Sequence, residues 1–243
     1  MPKHPRAQFE QALNSFFQVR LLDVERHLNK CRLEFGLEPF SQYDNLLRLD
    51  RTQELLFAAV SLTRPERINK ILEFGTFTGE STIVLRALFP SASITTIDLP
   101  ESLLVGNESA EERDSIKSRR QKNIINAKAE LILKDSALIV HEDLEKYDLI
   151  WLDGDHTLPT VAIDLENAMK ALNDNGILMM DDICKHLSLT NLIMRKTRSN
   201  DVWKALKRFS KARGINYLLF PKKLDYKQYF PGRRRLIALV ERK

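Results

Sequence analysis

The sequence predicts an α/β protein built on a doubly wound sheet of seven mostly parallel strands. From Lys70 onward, short runs of Ile, Leu and Val alternate with amphipathic segments of helical period. This alternation is typical of parallel strands joined by helices that cover both faces of a sheet. The last two apolar runs, INYLLF and RRLIALVER, are joined by a link with little helical pattern. We therefore predict an antiparallel hairpin at the edge of the sheet.

The predicted elements follow one another in a regular order. An apolar stripe predicts that residues 5–35 are helical, and a second helix is predicted at 51–62. The chain is divided accordingly into an N-terminal helical extension, 1–62, and a main domain, 63–243. Strands are predicted at 70–74, 93–98, 130–134, 147–152, 176–180, 215–220 and 234–241. Helices are predicted at 80–89, 108–127, 137–145, 159–173 and 200–213.

Composition argues against several classes of protein. The 243 residues are 43% hydrophobic, and no apolar run approaches the roughly 20 residues that span a bilayer, so no membrane partner is predicted. Two cysteines and an N-terminus without a signal-like apolar core favour a cytoplasmic location. The net charge of +5 comes from scattered basic residues without an RNA- or DNA-reading motif. A nucleic-acid partner is therefore not favoured, but it stays open.

The segment ILEFGTFTGEST, residues 71–82, has the layout of a strand, a glycine turn and the start of a helix. A dinucleotide fingerprint would read G-x-G-x-x-G, but Phe77 and Glu80 stand at its second and third glycine positions. Gly75 lets the backbone approach a ligand closely. Glu80 would repel a pyrophosphate, so the loop argues against a nicotinamide cofactor.

Acidic residues end five successive predicted strands. They are Glu73, Asp98, Asp135, Asp153 followed by Asp155, and the pair Asp181 and Asp182. Each acid alone could cap a turn, but the carboxyl ends of parallel strands form the ligand-binding edge of such a sheet. Asp98 lies 23 residues after Gly75, where an acid can bind two ribose hydroxyls. A nucleoside with a cationic tail fits this edge, and S-adenosylmethionine is the predicted cofactor.

These motifs resemble those of class I S-adenosylmethionine-dependent methyltransferases, over roughly residues 50–243. ILEFGTFTGEST matches the family's E-x-G-x-x-x-G motif, and Phe77 is typical of metal-dependent O-methyltransferases of the catechol and caffeoyl-coenzyme A type. YDLIWLDGDH and the later DD pair are similar to bacterial enzymes that methylate sugars of macrolide and aminocoumarin antibiotics. The resemblance implies a Rossmann-like fold and methyl transfer to a hydroxyl of a small molecule or sugar.

The resemblance also implies where the cofactor binds. By position, the methionyl end is assigned to Glu73, Gly75, Gly79 and Ser81, the ribose to Asp98, and the adenine to Asp135 and Ser136. The predicted cofactor site further includes Thr76, Phe77, Leu99 and Asp153.

A metal-assisted active site is implied by the same resemblance. Asp153, Asp181 and Asp182 match the family's metal triad, and three carboxylates suit Mg2+, Mn2+ or Ca2+. His156 falls where the catechol enzymes have a catalytic lysine, and histidine is a common base near neutral pH. It is therefore the candidate base, with Asp155 as its rival and Asp153 beside both.

Two alternative functions stay open. The basic surface would suit an RNA methyltransferase, and a cofactor-binding protein could keep the fold after losing catalysis. The apolar N-terminal stripe predicts that the helical extension forms a lid or a homodimer contact over the strand ends. Acceptor choice is predicted to depend on this extension, on the insertion PESLLVGNESAEER and on residues 185–200.

Overall fold

The computed structural model describes residues 4–38, 51–100, 109–141, 145–185, 198–222 and 235–242. The helices in these ranges are α1 (Pro5–Phe17), α2 (Leu21–Glu34), α3 (Arg51–Thr63), α4 (Glu80–Leu88), α5 (Ala110–Ala127), α6 (Thr160–Ala171) and α7 (Arg198–Arg213), with 3-10 turns at Pro65–Arg67 and Ser136–His141. The strands are β1 (Lys70–Phe74), β2 (Ser93–Asp98), β3 (Glu130–Leu133), β4 (Tyr147–Leu152), β5 (Leu172–Ile183), β6 (Tyr217–Pro221) and β7 (Leu236–Glu241).

The seven strands form one sheet in the order β3-β2-β1-β4-β5-β7-β6. The first five strands in this order pair in parallel, and β7 runs antiparallel to both β5 and β6. The predicted doubly wound, mostly parallel sheet with an antiparallel edge is confirmed. The order in which strands are added to the sheet reverses between β1 and β4. A crevice therefore opens at the carboxyl ends of these two parallel strands.

Apolar side chains form a core on each face of the sheet. On one face, Phe9 of α1 packs edge-on against Phe220 of β6 at 5.7 Å, and Phe57 of α3 packs against Trp151 of β4 at 5.0 Å. On the other face, α6 and α7 cover the sheet. The N-terminal helices therefore share a core with the sheet. Their predicted role as a lid or dimer contact, and the domain boundary at 62, stay predictions.

Several element boundaries differ from those predicted. The N-terminal stripe forms two helices, because Gln18 adopts a left-handed backbone with φ of 57° and ends α1. Strand β5 begins at Leu172, earlier than predicted. Its first few residues are irregular, because Asn175 has a left-handed backbone with φ of 62°. The helix predicted at 137–145 is a 3-10 turn over Ser136–His141. None of the described helices is long and apolar enough to cross a membrane.

Three predicted features fall outside the described residues. They are residues 142–144 of the predicted helix, most of the insertion after β2 (101–108), and residues 186–197 of the segment assigned to acceptor choice.

Candidate active site

A tight turn at Gly75 joins the carboxyl ends of three strands. The Gly75 amide donates to the Ile97 carbonyl at 2.8 Å, and the Asp153 amide donates to the Phe74 carbonyl at 2.9 Å. Gly75 has φ of +91°, and a Cβ atom there would lie 2.3 Å from the Asp153 carbonyl oxygen. Glycine is therefore required by the approach of the chain after β4 as well as by the backbone conformation.

The loop after Gly75 fixes the carboxylate of Asp98. The backbone amide of Phe77 donates to Asp98 Oδ2 at 2.8 Å, and the Leu99 amide donates to Oδ1 at 2.9 Å. Arg120 of α5, whose side chain is buried, donates to Oδ2 at 3.1 Å. A carboxylate has about four acceptor positions, so Asp98 retains capacity for a ligand hydroxyl while these three donors hold it in place.

A cleft of about 530 Å3 opens at this edge of the sheet. Its size lies within the ordinary range for small-molecule sites. Seven residues of the predicted cofactor site line it: Gly75, Phe77, Asp98, Leu99, Asp135, Ser136 and Asp153. Asp155 and Lys134 also line the cleft, so its wall is not uniformly acidic.

A larger cavity of about 680 Å3 lies at the opposite end of the sheet. Residues near the start of β4 and the end of β7, including Lys146, Glu241 and Arg242, line it. Ligands of open α/β sheets bind outside the carboxyl ends of the strands. The smaller cleft beside Gly75 is therefore the candidate site.

Glu73 is the centre of a buried hydrogen-bond network beneath the loop. Its carboxylate accepts from the hydroxyls of Ser81, Thr82 at 2.5 Å and Thr96 at 2.7 Å. Thr76 and Thr96 share a further hydroxyl contact at 2.6 Å. Burial raises the pKa of Glu73 to about 7, although the three hydroxyl donors oppose that rise. Glu73, Thr76 and Ser81 thus support the loop from within, and their predicted contacts to a cofactor stay predictions.

A bulge in β5 brings Asp181 and Asp182 toward one neighbour. Met180 pairs with Ala238 and Ile183 pairs with Leu236, so β5 has one more residue than β7 between these rungs. Asp182 has φ of 57°, a left-handed backbone conformation at the position of the extra residue. Successive side chains of a regular strand point to opposite faces. The bulge therefore explains how both carboxylates contact Lys222.

Basic side chains contact both acids of β5. The Lys222 ammonium donates to Asp181 Oδ2 at 2.6 Å and to Asp182 Oδ1 at 3.3 Å. Arg235 donates to Asp182 Oδ2, and the Gln53 amide donates to Asp181 Oδ2 at 2.6 Å. Burial, followed by the charge of Asp153, raises the pKa of Asp181, and the Lys222 ammonium opposes this rise.

His156 lies between two of the predicted metal ligands. Its Nε2 is 3.3 Å from Asp153 Oδ1, close enough for an ion pair with a protonated ring but not aligned as a hydrogen bond. Its Nδ1 is 3.9 Å from Asp182 Oδ2. Asp155, the rival base, accepts from the amide of Thr157 at 3.0 Å and from its hydroxyl at 2.7 Å. Asp155 therefore stabilises the turn that presents His156.

Comparison with known proteins identifies the fold. Residues 72–183, from β1 to the end of β5, match the model of a family described as "Methyltransferase domain". This segment, which carries the Gly75 loop and the acids of β4 and β5, is similar to a methyltransferase domain. The predicted enzyme class, an S-adenosylmethionine-dependent methyltransferase, is confirmed. No curated protein sequence matches the chain.

Solved structures share this methyltransferase fold at low sequence identity. The O-methyltransferase TomG from Streptomyces achromogenes, in complex with S-adenosylmethionine, is 16% identical over 100% of both chains, with a TM-score of 0.53. An O-methyltransferase from Bacillus cereus in complex with S-adenosylhomocysteine is 18% identical over 96% of both chains, with a TM-score of 0.52. The Podospora anserina methyltransferase PaMTH1, bound to S-adenosylhomocysteine, is 14% identical over 90% of this chain and 87% of its own, with a TM-score of 0.53.

The predicted metal ligands Asp153, Asp181 and Asp182 are not arranged to hold a divalent cation. A metal needs carboxylate oxygens that face a common point, but Lys222 and Arg235 occupy the approach to Asp181 and Asp182. Among the residues that the structure describes, no group of three or more His, Cys, Asp or Glu side chains is arranged to hold a metal ion. The contacts of Lys222 and Arg235 thus favour a site in which both acids of β5 are already paired with basic side chains.

Four side chains that donate to the carboxylates of Asp98, Asp181 and Asp182 were not predicted from the sequence. They are Gln53, Arg120, Lys222 and Arg235. The basic runs at 222–223 and 233–235 have the composition of solvated surface. The signal that could have located Lys222 and Arg235 is the predicted hairpin itself, because the end at which β6 leads into β7 lies beside the carboxyl end of β5.

Proposed function

We propose that this chain is an S-adenosylmethionine-dependent O-methyltransferase that acts on a hydroxyl of a small molecule or sugar. The observation that carries the proposal is the cleft beside Gly75, in which Asp98 is fixed by the loop amide of Phe77. Fixed carboxylates at this position suit ribose hydroxyls. TomG and the Bacillus cereus enzyme, which share the fold, support both the cofactor and the class of acceptor.

Each end of the cleft suits one part of the cofactor. Asp98 would bind the ribose hydroxyls, and Asp135 with Ser136 would lie beside the adenine. Gly75 and Asp153 would face the methionyl end, where a carboxylate stabilises the positive charges of the ammonium and the sulfonium. When bound, S-adenosylmethionine supplies an electrophilic methyl group.

His156 is the proposed base for the acceptor hydroxyl. The Asp153 carboxylate, 3.3 Å from Nε2, stabilises the ring after it takes up a proton. The other ring nitrogen, Nδ1, lies 3.9 Å from Asp182 Oδ2, beyond hydrogen-bond distance. We propose that Nδ1 takes the proton of the acceptor hydroxyl. Asp155 is the less suitable base because Thr157 already donates twice to it.

A divalent cation is not part of this proposal. Mg2+, Mn2+ or Ca2+ at Asp153, Asp181 and Asp182 was predicted from the resemblance, but Lys222 and Arg235 already neutralise two of these acids. The proton transfer to His156 requires no metal step.

Calorimetry and a labelled methyl donor test the proposal. We expect S-adenosylhomocysteine to bind and NAD to give no heat. Incubation with tritiated S-adenosylmethionine and a panel of catechols, hydroxylated acids and amino sugars should then label a hydroxyl-bearing acceptor. Labelling of RNA with strong salt dependence would favour the RNA alternative. Binding of the product without labelling in any cell-extract fraction would favour a protein that has lost catalysis.

A further inference from the structure

Two basic side chains, at the end of the hairpin where β6 leads into β7, contact the acids of β5. Lys222 directly follows β6 and Arg235 directly precedes β7, and the Lys222 amide donates to the Arg235 carbonyl at 2.9 Å. This backbone bond holds the two residues side by side. The bulge at Asp182 turns both β5 carboxylates toward them. The hairpin and the bulge together make one compact arrangement of opposite charges.

We propose that the Lys222 ammonium is a built-in cation that takes the place of a divalent metal at the acceptor edge of the site. Its Nζ donates to one oxygen of each β5 acid, at 2.6 and 3.3 Å, so that one cation pairs with both carboxylates. The Lys222 side chain is only 10% exposed. A buried cation of this kind persists because it is paired, and its partners are paired by it.

The charge balance of the cluster opposes the binding of a second cation. Asp153, Asp181 and Asp182 offer three carboxylates, against which Lys222 and Arg235 set two permanent positive charges. A divalent ion would meet a cluster close to neutral, and it would be repelled by an ammonium at ligand distance. Like charges a few ångströms apart repel each other strongly at the low effective dielectric constant of a buried site.

Three of the four carboxylate oxygens of Asp181 and Asp182 also accept from these donors, and the fourth, Asp181 Oδ1, is buried without a hydrogen-bond partner among the described residues. Lys222 and Gln53 both donate to Asp181 Oδ2 at 2.6 Å, and Asp182 receives Lys222 on one oxygen and Arg235 on the other. Mg2+ requires near-octahedral oxygen ligands at close range. Its entry would break contacts from three separate side chains, so these acids form a latent cation site that Lys222 already fills.

Manganese titration followed by electron paramagnetic resonance tests this inference without relying on methyl transfer. We expect the wild-type chain to bind no stoichiometric Mn2+. Lys222→Met keeps most of the side-chain volume but removes the charge, and Arg235→Gln does the same at the second position. The double variant should bind Mn2+ roughly tenfold or more tighter than the wild type, since two nearby positive charges are gone. Adding Asp182→Asn should abolish the gain.

Controls separate this inference from the proposed function, on which its role in catalysis rests. Lys222→Arg keeps the charge and should behave like the wild type, and circular dichroism reports whether each variant folds. S-adenosylhomocysteine binding, measured in parallel, tests the cofactor site independently. Stoichiometric Mn2+ binding to the wild-type chain that Asp182→Asn removes would overturn the inference, as would a folded double variant that gains no Mn2+ binding. The wild-type titration decides the question even if a variant does not fold.

Discussion

The backbone of Gly75 lies against the carbonyl of Asp153, so closely that a Cβ atom at position 75 would be 2.3 Å from that oxygen. Gly75→Ala is therefore expected to destabilise the fold and to disturb the cofactor cleft. Gly214→Ala is a matched control, because Gly214 also has positive φ, +67°, but no atom lies within 4 Å of its added Cβ. Both variants carry the backbone strain of about 1–3 kcal/mol, and only Gly75→Ala adds the clash. Urea denaturation should show the difference; equal losses would contradict it.

Removing the Asp98 carboxylate should weaken binding of S-adenosylhomocysteine. Asp98→Ala is expected to cost about 1–3 kcal/mol of binding free energy, the range typical of losing a charged hydrogen-bond partner. Asp148→Ala is the control, since Asp148 also accepts two backbone amides, from Asn69 at 2.8 Å and Lys70 at 3.0 Å, but at the far end of the sheet. Calorimetry should find unchanged affinity for that variant. Equal affinity losses in both variants would remove the ribose role from Asp98.

The buried Glu73 carboxyl should make stability depend on pH. Burial raises its pKa to about 7 in the folded chain, from an ordinary value of 4.5. Between these values the folded state keeps a proton that the unfolded state has released. The free energy of unfolding contributed by Glu73 should therefore fall as pH rises from 4.5 to 7, by up to about 1.4 kcal/mol per pH unit, and stay level above 7.

The comparison of two variants isolates this effect of Glu73. Glu73→Gln should lose the slope, so its free energy of unfolding relative to the wild type should rise between pH 5 and pH 7, which spans most of the interval. Glu66→Gln, at an exposed position of the Pro65–Arg67 turn, should track the wild type at every pH. Denaturant titrations at several pH values provide the measurement. Parallel curves for the wild type and Glu73→Gln would show that the three hydroxyl donors keep the carboxylate ionised.

Substitution of His156 should separate catalysis from cofactor binding. His156→Ala is expected to lower turnover by about 10^2 to 10^4-fold, the usual contribution of a general base, with little change in S-adenosylhomocysteine affinity. It should also flatten the acidic limb of the pH–rate profile. Asp155→Asn should lower turnover much less, because both oxygens of Asp155 already accept hydrogen bonds from Thr157. If Asp155→Asn proves the more damaging variant, the assignment of the base reverses.

The N-terminal helices should contribute strongly to stability. Phe9 is fully buried against Phe220, so Phe9→Ala is expected to cost about 3–5 kcal/mol of unfolding free energy. Leu22→Ala, at a residue that is 50% exposed on α2, is the matched control and should stay within about 0.5 kcal/mol of the wild type. A small loss for Phe9→Ala would mean that α1 contributes little to the shared core. Size-exclusion chromatography of the same variants tests the predicted homodimer contact.

Local patterns in the sequence were sufficient to predict the sheet and the acids at its carboxyl edge. Gly75, Asp98 and Asp153 each follow an apolar run, so the position of the strand fixes the position of the residue. The partners of Asp181 and Asp182 could not be predicted in this way, since Lys222 and Arg235 lie 41 and 53 residues further along the chain from them. Their contacts depend on strand pairing and on the left-handed backbone of Asp182, which no local pattern indicates.

The placement of Lys222 and Arg235 at one end of the β6–β7 hairpin also affects the fidelity of folding. A slip of one residue in strand pairing turns every side chain to the opposite face of a sheet. Such a slip in β7 would remove Arg235 from Asp182 and leave a carboxylate without its counter-charge near the sheet interior. Apolar strands such as Leu236–Glu241 tolerate misalignment more readily than paired charges do. The ion pairs therefore penalise the misaligned hairpin and select the native register.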